Sequence, residues 1–507
     1  MDGSIGRGVS RRRFLTAAVA GTAVVGYNVA TGSWVTTAEA ATGTSDTSFR
    51  RIPRLDGTLV MDDATRAANS TDAGNMTRRV PQAILFPGSA SDVRAMICYC
   101  AANRIPVATN TGRNSVFGQT LTTGGLIING KSLNTIHSIS PTGAEVDAGV
   151  TWYDLIAAAF EHGLTPPSIT GYTQLGVAGT LSIGGLDAAT SNLRGPQAAA
   201  VQKLQVVTGA GDLVECSPTR NSGLFKAMLA GQGQCGVITR ATVDLIPAPR
   251  FARVYRSAPY TDVATCVNDL RILASRSGRP GGFDFVASAN MPGTPTPLPL
   301  GLLSVVFHND PATVPSTETL TSGCSTTTRQ AQYVDMGYLD YVFLVDAQVN
   351  AWRANASWDS LVKPWFNTLI PDNRVLEFAE SVFPALTAED VSPTTFVVFS
   401  PTRSAAFTDD FPLYRAPSPT AGEWSWLCGI LTTSDGPAPA ADFASRMLER
   451  NRAWWQRVVD LGGTRYVEDA IPFGKADWQT HYGPVYSQFA SWKRQFDPYN
   501  IMTPGAG

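Results

Sequence analysis

Residues 171–241 read GYTQLGVAGTLSIGGLDAATSNLRGPQAAAVQKLQVVTGAGDLVECSPTRNSGLFKAMLAGQGQCGVITRA, and this stretch decides the fold that the sequence predicts. Its glycines form two clusters, at Gly176, Gly179, Gly184 and Gly185 and at Gly231, Gly233 and Gly236. Glycine has no Cβ, so a ligand can approach its main chain closely. Several such approaches in one region predict a large phosphate-bearing cofactor that lies along main-chain amides. Glycine content alone favours another interpretation, a β-rich domain with many tight turns.

The spacing of two motifs favours the cofactor site. The run V-A-G-T-L-S-x-G-G covers residues 177–185, and the run G-Q-G-Q-x-G-V-I-T-R-A covers residues 231–241. Together they resemble the PCMH-type FAD-binding domain of the vanillyl-alcohol-oxidase class of flavoproteins, and within that class they are most similar to the cytokinin dehydrogenase family. The resemblance extends over nearly the whole mature chain, through further runs such as residues 111–119 and 496–505. It is specific for the fold and for FAD, and much less specific for the substrate.

The resemblance implies an α+β fold with two domains and FAD buried between them. A chain of 507 residues is also too long for one ordinary hydrophobic core. We predict four regions: a signal peptide over residues 1–40, a PCMH-type FAD-binding domain over 41–249, a substrate or cap domain over 250–470, and a segment over 471–507 that returns to the FAD-binding domain. Residues 91–103 are predicted to form a helix with Ser91 as its N-cap.

The first residues of the sequence have the layout of a twin-arginine export signal. Ser10-Arg-Arg-Arg-Phe-Leu15 precedes an apolar stretch over residues 16–27, and Ala38-Glu-Ala40 supplies the small residues of a cleavage site. The alternative interpretation is a basic disordered arm followed by a short helix. We expect export by the twin-arginine route to the periplasm or the exterior, with residues 1–40 excluded from the fold.

The composition and net charge exclude several classes of binding partner. The net charge of -2 argues against nucleic acid or an anionic membrane surface as a partner. No run after residue 40 is long and apolar enough to span a bilayer. The seven cysteines are odd in number and match no zinc pattern, so we predict no metal site and expect most of them to be buried.

The loop at residues 111–119, which we call the flavin loop, differs from the family at the position that carries the covalent bond to the flavin. The family there reads R-G-H-G-H-S, and its second histidine bonds covalently to the flavin ring. Here Asn114 occupies that position in the run Asn110-Thr-Gly-Arg-Asn-Ser115, and an amide nitrogen has no available lone pair for such a bond. The resemblance therefore implies FAD held without a covalent bond. The predicted cofactor-binding residues are Thr111, Gly112, Arg113, Asn114, Ser115, Gln119, Gly171, Gly176, Gly179, Thr180, Ser182, Leu186, Ile238 and Thr503.

The residues at the predicted substrate site also differ from the family pattern. The family carries a catalytic aspartate in a W-x-D-Y run, and Gly171 stands in its place in Ile169-Thr-Gly-Tyr172. A second family acid at the substrate entrance appears here as Val349 or Asn350. Flavin oxidation of an alcohol or amine still requires a proton acceptor near the donor carbon.

Two residues are candidates for that acceptor. Tyr172, directly beside the lost aspartate, is the first, with a pocket wall or a core aromatic as the alternative interpretation. Asp187 is the second, with an acidic turn residue as the alternative. Trp365 matches a family aromatic that helps to wall the substrate cavity, and Asn350 is a second substrate-side candidate.

The sequence therefore predicts an exported FAD-dependent oxidoreductase that removes a hydride from an alcohol or amine carbon of a small organic molecule. The resemblance implies that electrons then pass to oxygen or a quinone-like acceptor. One alternative is a cytokinin dehydrogenase with a displaced base. Another is a flavin-binding or small-molecule-binding protein without catalysis, which the loss of both family acids and of the linking histidine motivates.

Overall fold

The computed structural model describes residues 24–36, 49–290, 298 and 300–502, and its fold is α+β, as the sequence predicts. The first domain contains a four-stranded sheet in the order β4-β5-β7-β6 and a five-stranded antiparallel sheet in the order β12-β11-β13-β9-β8. Its strands are β1 Val24–Asn28, β2 Ser33–Thr36, β3 Phe49–Arg51, β4 Thr58–Val60, β5 Ala83–Phe86, β6 Val107–Asn110, β7 Leu126–Asn129, β8 Ile136–Ser140, β9 Gly143–Asp147, β10 Leu164–Thr165, β11 Val201–Thr208, β12 Leu213–Cys216, β13 Gly236–Asp244 and β14 Ile246–Pro247. Its helices are α1 Asp63–Ala68, α2 Ala90–Asn103, α3 Trp152–Phe160, α4 Val177–Leu181 and α5 Ser222–Met228.

Helix α2 begins two residues earlier than predicted at its N-cap. Its N-cap is Ser89 rather than Ser91, because the Ser89 hydroxyl accepts the Asp92 N–H at 3.3 Å. The Asp92 carboxylate then accepts three further main-chain N–H groups, from Asp56, Gly57 and Gly88. Ser91 lies inside the first turn, so its hydroxyl is not available for that role.

The second domain is built on an antiparallel eight-stranded sheet in the order β18-β15-β17-β16-β20-β21-β19-β22. Its strands are β15 Phe251–Pro259, β16 Phe285–Asn290, β17 Leu300–His308, β18 Gln332–Gly337, β19 Phe366–Pro371, β20 Phe396–Arg403, β21 Trp424–Leu431 and β22 Thr464–Arg465. Its helices are α6 Val263–Ala274, α7 Thr317–Leu320, α8 Thr326–Arg329, α9 Tyr338–Val342, α10 Leu344–Asn355, α11 Val375–Val382 and α12 Phe443–Asp460. The buried residues of α12 recur three or four positions apart, at Phe443, Met447, Asn451, Trp455 and Val458, so one face of this helix packs inward.

The C-terminal chain returns to the first domain through α13 (Lys475–Tyr482) and α14 (Tyr486–Phe496). After α14, the Val107 N–H on β6 donates to the Ile501 carbonyl at 2.8 Å, and Met502 pairs in parallel with Val107. The Asp497 carboxylate accepts the Ile501 and Met502 N–H groups and pairs with Lys493. These contacts fix the chain beside the strand that leads into the flavin loop.

Residues 24–36, which lie inside the predicted signal peptide, pack on the first domain in the full chain. Strands β1, β2 and β3 form a small antiparallel sheet, and Trp34 is buried against Tyr99 on α2, with the ring centroids 5.7 Å apart. Tyr27 packs edge-on to Trp34, so the hairpin has an aromatic face to bury. The arginine motif and the proposed cleavage site lie outside the described residues. No helix in the described ranges is long and apolar enough to cross a membrane.

Candidate cofactor and active site

A cavity that is partly open to solvent lies in the first domain and reaches the second. Most of its wall comes from the flavin loop, from α4 and the residue before it, and from residues 232–238. The second domain contributes Val467 and Glu468 to the described lining. The two glycine-containing motifs and the flavin loop, which are distant in sequence, therefore meet around one space.

Most of the predicted cofactor-binding residues line this cavity. Those that do are Thr111, Gly112, Arg113, Asn114, Ser115, Gln119, Gly176, Gly179, Thr180, Ser182 and Ile238. Gly171 and Leu186 lie outside the lining, where an ideal Cβ on Gly171 would lie 3.9 Å from the Ala188 Cβ and the Leu186 N–H faces the Tyr466 hydroxyl at 3.3 Å. Thr503 lies outside the described residues.

Close approach of main chain requires glycine at two positions in the wall. An ideal Cβ on Gly176 would lie 2.4 Å from the Thr111 Oγ1, and one on Gly179 would lie 2.9 Å from the same atom. Both distances are too short for real Cβ contacts. The motif glycines therefore let α4 pack directly against the flavin loop, and Gly179 remains exposed to the cavity.

The cavity carries polar groups that the described protein leaves unpaired. Both amide atoms of Asn110 are buried without a hydrogen-bond partner, and so is the Gln232 Oε1. Gln232 and Gly233 both have positive φ angles, 53° and 68°, so two consecutive residues of this wall adopt a left-handed conformation. Buried polar groups are normally paired, so this pattern fits a ligand with many acceptors and donors, as FAD is.

A buried carboxylate that the sequence analysis missed organises the flavin loop. Asp72 accepts hydrogen bonds from the Ser115 hydroxyl at 3.1 Å, the Gly118 N–H at 2.6 Å and the Gly74 N–H at 3.2 Å. Burial raises the pKa of Asp72 to about 6, against the opposing effect of these hydrogen bonds. Arg113 adopts a left-handed conformation with φ 58°, and its guanidinium donates to the Ala68 carbonyl on the outer side of the loop.

A buried lysine connects the second domain to the same loop. The Lys363 ammonium donates to the carbonyl oxygens of Ala73, Trp358 and Leu361 at 2.7–3.0 Å. The Ala73 N–H in turn binds main-chain carbonyl oxygens of the flavin loop. Burial lowers the pKa of Lys363 to about 8. This side chain thus joins two chain segments, the Ala73 segment that supports the flavin loop and residues 358–363 of the second domain.

Glu468 is a second buried acid that the sequence analysis missed, and it faces the cavity. Gln119 fixes the main chain on both sides of it, because the Gln119 Nε2 donates to the Val467 carbonyl at 3.4 Å and to the Asp469 carbonyl at 3.0 Å. The side chain is only partly exposed, toward the cavity. Burial and, second, the neighbouring Asp469 carboxyl raise the pKa of Glu468 to about 8.

Tyr172 and Trp365 meet outside the cavity lining. Both are partly buried and pack against an apolar cluster that contains Val349, Trp352, Trp358 and Leu361. The Arg353 guanidinium lies 5.8 Å from the centre of the Tyr172 ring and donates to the exposed Asn350 amide at 3.2 Å. Burial raises the pKa of the Tyr172 phenol. Tyr172 and Trp365 therefore pack on the same apolar cluster of the second domain, and Arg353 connects Tyr172 to the exposed Asn350.

Asp187 lies apart from that wall and from the cavity lining. Its carboxylate accepts the Ala189 N–H at 2.9 Å, the Thr190 N–H at 2.8 Å and the Thr190 hydroxyl at 2.7 Å. Burial raises the pKa of Asp187 to about 6.

In the described part of the chain, no group of three or more histidine, cysteine, aspartate or glutamate side chains is arranged to hold a metal ion.

Comparison with known proteins agrees with this geometry. Residues 81–217 match the family described as FAD binding domain, and residues 305–507 match the family described as cytokinin dehydrogenase 1, FAD and cytokinin binding. The chain is 30% identical over 452 residues to an uncharacterized oxidoreductase, ORF5 in the fasciation locus of Rhodococcoides fascians, which covers 89% of this chain and 99% of that protein. It is 28% identical over 489 residues to cytokinin dehydrogenase 7 of Oryza sativa subsp. japonica, covering 88% and 90% of the two chains. Cytokinin dehydrogenase 1 of the same plant is 30% identical over 496 residues, covering 89% and 91%.

Proposed function

Because this chain belongs to the family of FAD-dependent oxidoreductases that includes the cytokinin dehydrogenases, we propose that it removes a hydride from an alcohol or amine carbon of a small organic molecule. The observation that carries the proposal is the cavity in which the flavin loop and both glycine motifs meet a segment of the second domain. Such a site can hold a flavin in one domain and admit a substrate from the other.

The residues present fit FAD. The unpaired side-chain amide of Asn110 and the exposed main chain at Gly179 would hold it, and the chemistry that bound FAD supplies is acceptance of two electrons with the carbon-bound hydrogen. The protein's own part is to orient the substrate carbon, exclude water and take up the proton that the substrate heteroatom loses. We infer that oxygen or a quinone-like molecule then accepts the electrons.

Anaerobic exposure of the FAD-loaded protein to a panel of compounds tests this function. The panel contains primary and benzylic alcohols, secondary amines and isopentenyladenine. Bleaching of the visible flavin absorbance by at least one compound is the expected result. Protein that holds FAD but is reduced by none of them would instead favour a binding protein without catalysis.

A true cytokinin dehydrogenase with a displaced base is the second candidate, which the similarity to the rice enzymes favours. We place it second because Gly171 carries no carboxylate where the family motif has its aspartate. Turnover of isopentenyladenine with a dye as electron acceptor decides between the two, and we expect none from the natural sequence.

The variant Gly171→Asp tests whether a carboxylate at this position allows the protein to oxidise isopentenyladenine. An ideal Cβ on Gly171 meets no heavy atom closer than 3.9 Å, so the substitution should leave folding and FAD content unchanged. Because the natural sequence should show no such reaction, we expect reduction of bound FAD by isopentenyladenine to become measurable in this variant, since a placed general base contributes about 10²–10⁴ to the rate. Gly171→Asn, which has the same shape without the base, is the matched control. Equal rates for the two variants would show that this position does not serve the reaction.

We further propose that FAD is held without a covalent bond. Asn114 lines the cavity, and the described lining contains no histidine, cysteine or tyrosine that could form such a bond. Acid precipitation of the loaded protein should therefore release all of the FAD into the supernatant, where its absorbance is measured. Flavin that stays with the precipitate would contradict the proposal. Asn114→His is the companion variant, in which retention of part of the flavin would mark Asn114 as the family's linking position.

Export by the twin-arginine route is proposed from residues 10–40 alone. Replacing Arg11 and Arg12 by lysine in the full chain should keep the protein inside the cell. Unchanged export of that variant would refute the proposed route.

A further inference from the structure

Glu468 is the one carboxylic acid among the described residues that line the cofactor cavity. Arg113 is the other charged residue of that lining, and its guanidinium is engaged with the Ala68 carbonyl. No hydrogen bond from the described protein engages the Glu468 carboxyl. A partly buried acid that has no partner in the protein and lines a ligand site is available to a bound ligand.

The main chain holds this carboxyl at a defined place. Gln119 of the flavin loop binds the carbonyl groups on both sides of Glu468, and the Gln119 Oε1 accepts the Phe117 N–H at 2.8 Å. On the far side, the Ala470 N–H donates to the Trp365 carbonyl at 2.8 Å. The segment that carries Glu468 therefore runs between the flavin loop and Trp365, with Glu468 itself in the cavity lining.

The other candidates for the proton acceptor have competing contacts. The Asp187 carboxylate already accepts three hydrogen bonds from Ala189 and Thr190. Tyr172 lies beside Arg353, and neither Tyr172 nor Asp187 lines the cavity. A proton acceptor must reach the heteroatom whose proton it takes, so position favours Glu468 over both.

Resting on the proposed function, we propose that Glu468 is the proton acceptor of the reaction. The substrate C–H bond breaks, and its hydrogen passes with two electrons to bound FAD. The O–H or N–H bond of the same substrate breaks, and its proton passes to the Glu468 carboxylate. A C=O or C=N double bond forms in the product. The protonated carboxyl then loses its proton to water at the open side of the cavity, and oxygen or a quinone takes the two electrons.

The burial of Glu468 and the charges around it determine how the rate of flavin reduction should change with pH. Asp469 is adjacent and is paired with Arg465, the Tyr414 and Tyr466 phenols lie within electrostatic range, and Arg113 belongs to the opposite wall. Because the pKa of Glu468 is raised to about 8, the carboxyl is mostly protonated at neutral pH and becomes an acceptor as the pH rises past that value. The rate of flavin reduction should therefore increase from neutral to alkaline pH.

The first experiment measures anaerobic reduction of bound FAD in single turnovers, with the compound that the panel identifies. Glu468→Gln should keep its FAD and its substrate affinity, react about 10²-fold or more slowly, and lose the rise in rate with pH. Glu468→Asp should react at an intermediate rate. Glu449→Gln, the same change at an exposed position on α12, is the control and should match the natural sequence. Equal rates for Glu468→Gln and the control would overturn the inference while leaving the proposed function intact.

The second experiment needs no substrate. The midpoint potential of the bound flavin is measured against pH with reference dyes. Reduction adds negative charge, which raises the pKa of a nearby carboxyl, so the natural protein should take up an extra proton on reduction above pH 8. Its potential should then fall more steeply with pH than that of Glu468→Gln. Identical slopes would place the carboxyl away from the flavin and overturn the inference. If the slopes differ but no panel compound reduces the flavin, the proposed function fails and the acceptor role fails with it.

Discussion

Gly179→Val is expected to yield protein that is largely free of FAD. Gly179 lines the cavity and is exposed to it, and an ideal Cβ there would lie 2.9 Å from the Thr111 Oγ1 of the flavin loop. Valine adds two further methyl groups, which must either displace the loop or occupy cofactor space. The ratio of visible flavin absorbance to protein absorbance in the purified variant measures the loss.

Thr180→Val is the matched comparison at the next position. The Thr180 hydroxyl accepts the Trp152 indole N–H at 2.7 Å and donates to the Val177 carbonyl at 3.1 Å, so its hydrogen bonds are made within the protein. Valine should keep the FAD and lower the free energy of unfolding by about 1–3 kcal/mol, because the buried indole N–H loses its acceptor. Full FAD in Gly179→Val together with its loss in Thr180→Val would contradict close main-chain approach at this wall.

Lys363→Met should have the second large effect, on both stability and cofactor retention. The variant keeps the length and apolar stem of lysine but leaves the carbonyl groups of Ala73, Trp358 and Leu361 without their shared donor. We expect the free energy of unfolding to fall by about 3 kcal/mol or more. FAD should dissociate more readily, because the Ala73 segment that supports the flavin loop loses its anchor in the second domain.

Chemical denaturation and FAD release on dilution measure the two effects of Lys363→Met. Lys475→Met, a change of the same chemistry at an exposed position on α13, is the control and should change neither quantity. A variant that is destabilised but retains FAD as tightly as the natural protein would show that Lys363 supports the fold alone. Stability equal to that of the control would remove Lys363 from both roles.

The sequence predicted much of the cavity lining because those lining residues belong to continuous sequence motifs. Gly176, Gly179 and Thr111 each lie within a short run whose neighbours are also in the wall, so one motif places several lining residues at once. The two predicted residues that fall outside the lining, Gly171 and Leu186, flank the motif. Leu186 follows Gly184 and Gly185, whose positive φ angles of 106° and 69° turn the chain away from the cavity.

The residues that the sequence analysis missed share a different property. Asp72 and Glu468 come from segments without a recognised motif, and Lys363 lies in a run, residues 363–367, in which the resemblance gives a role to Trp365 alone. Each of the three acquires its role only when chain segments far apart in sequence are packed together. A lysine before a proline or an acid in a loop reads as a solvated charge until tertiary contacts bury it. The helix boundary at Ser89 was missed for a smaller reason, since two serines two residues apart both suit an N-cap and only the Asp92 N–H decides between them.

The contact between Val107 and Ile501 joins a residue that is synthesised early to one that is synthesised at the end of the chain. Strand β6 lies at the edge of its sheet and leads directly into the flavin loop, yet the partner of its Val107 N–H is made far later by the ribosome. A nascent chain therefore leaves this edge open throughout most of translation. Completion of the flavin pocket, and loading of the flavin, become events of the finished polypeptide.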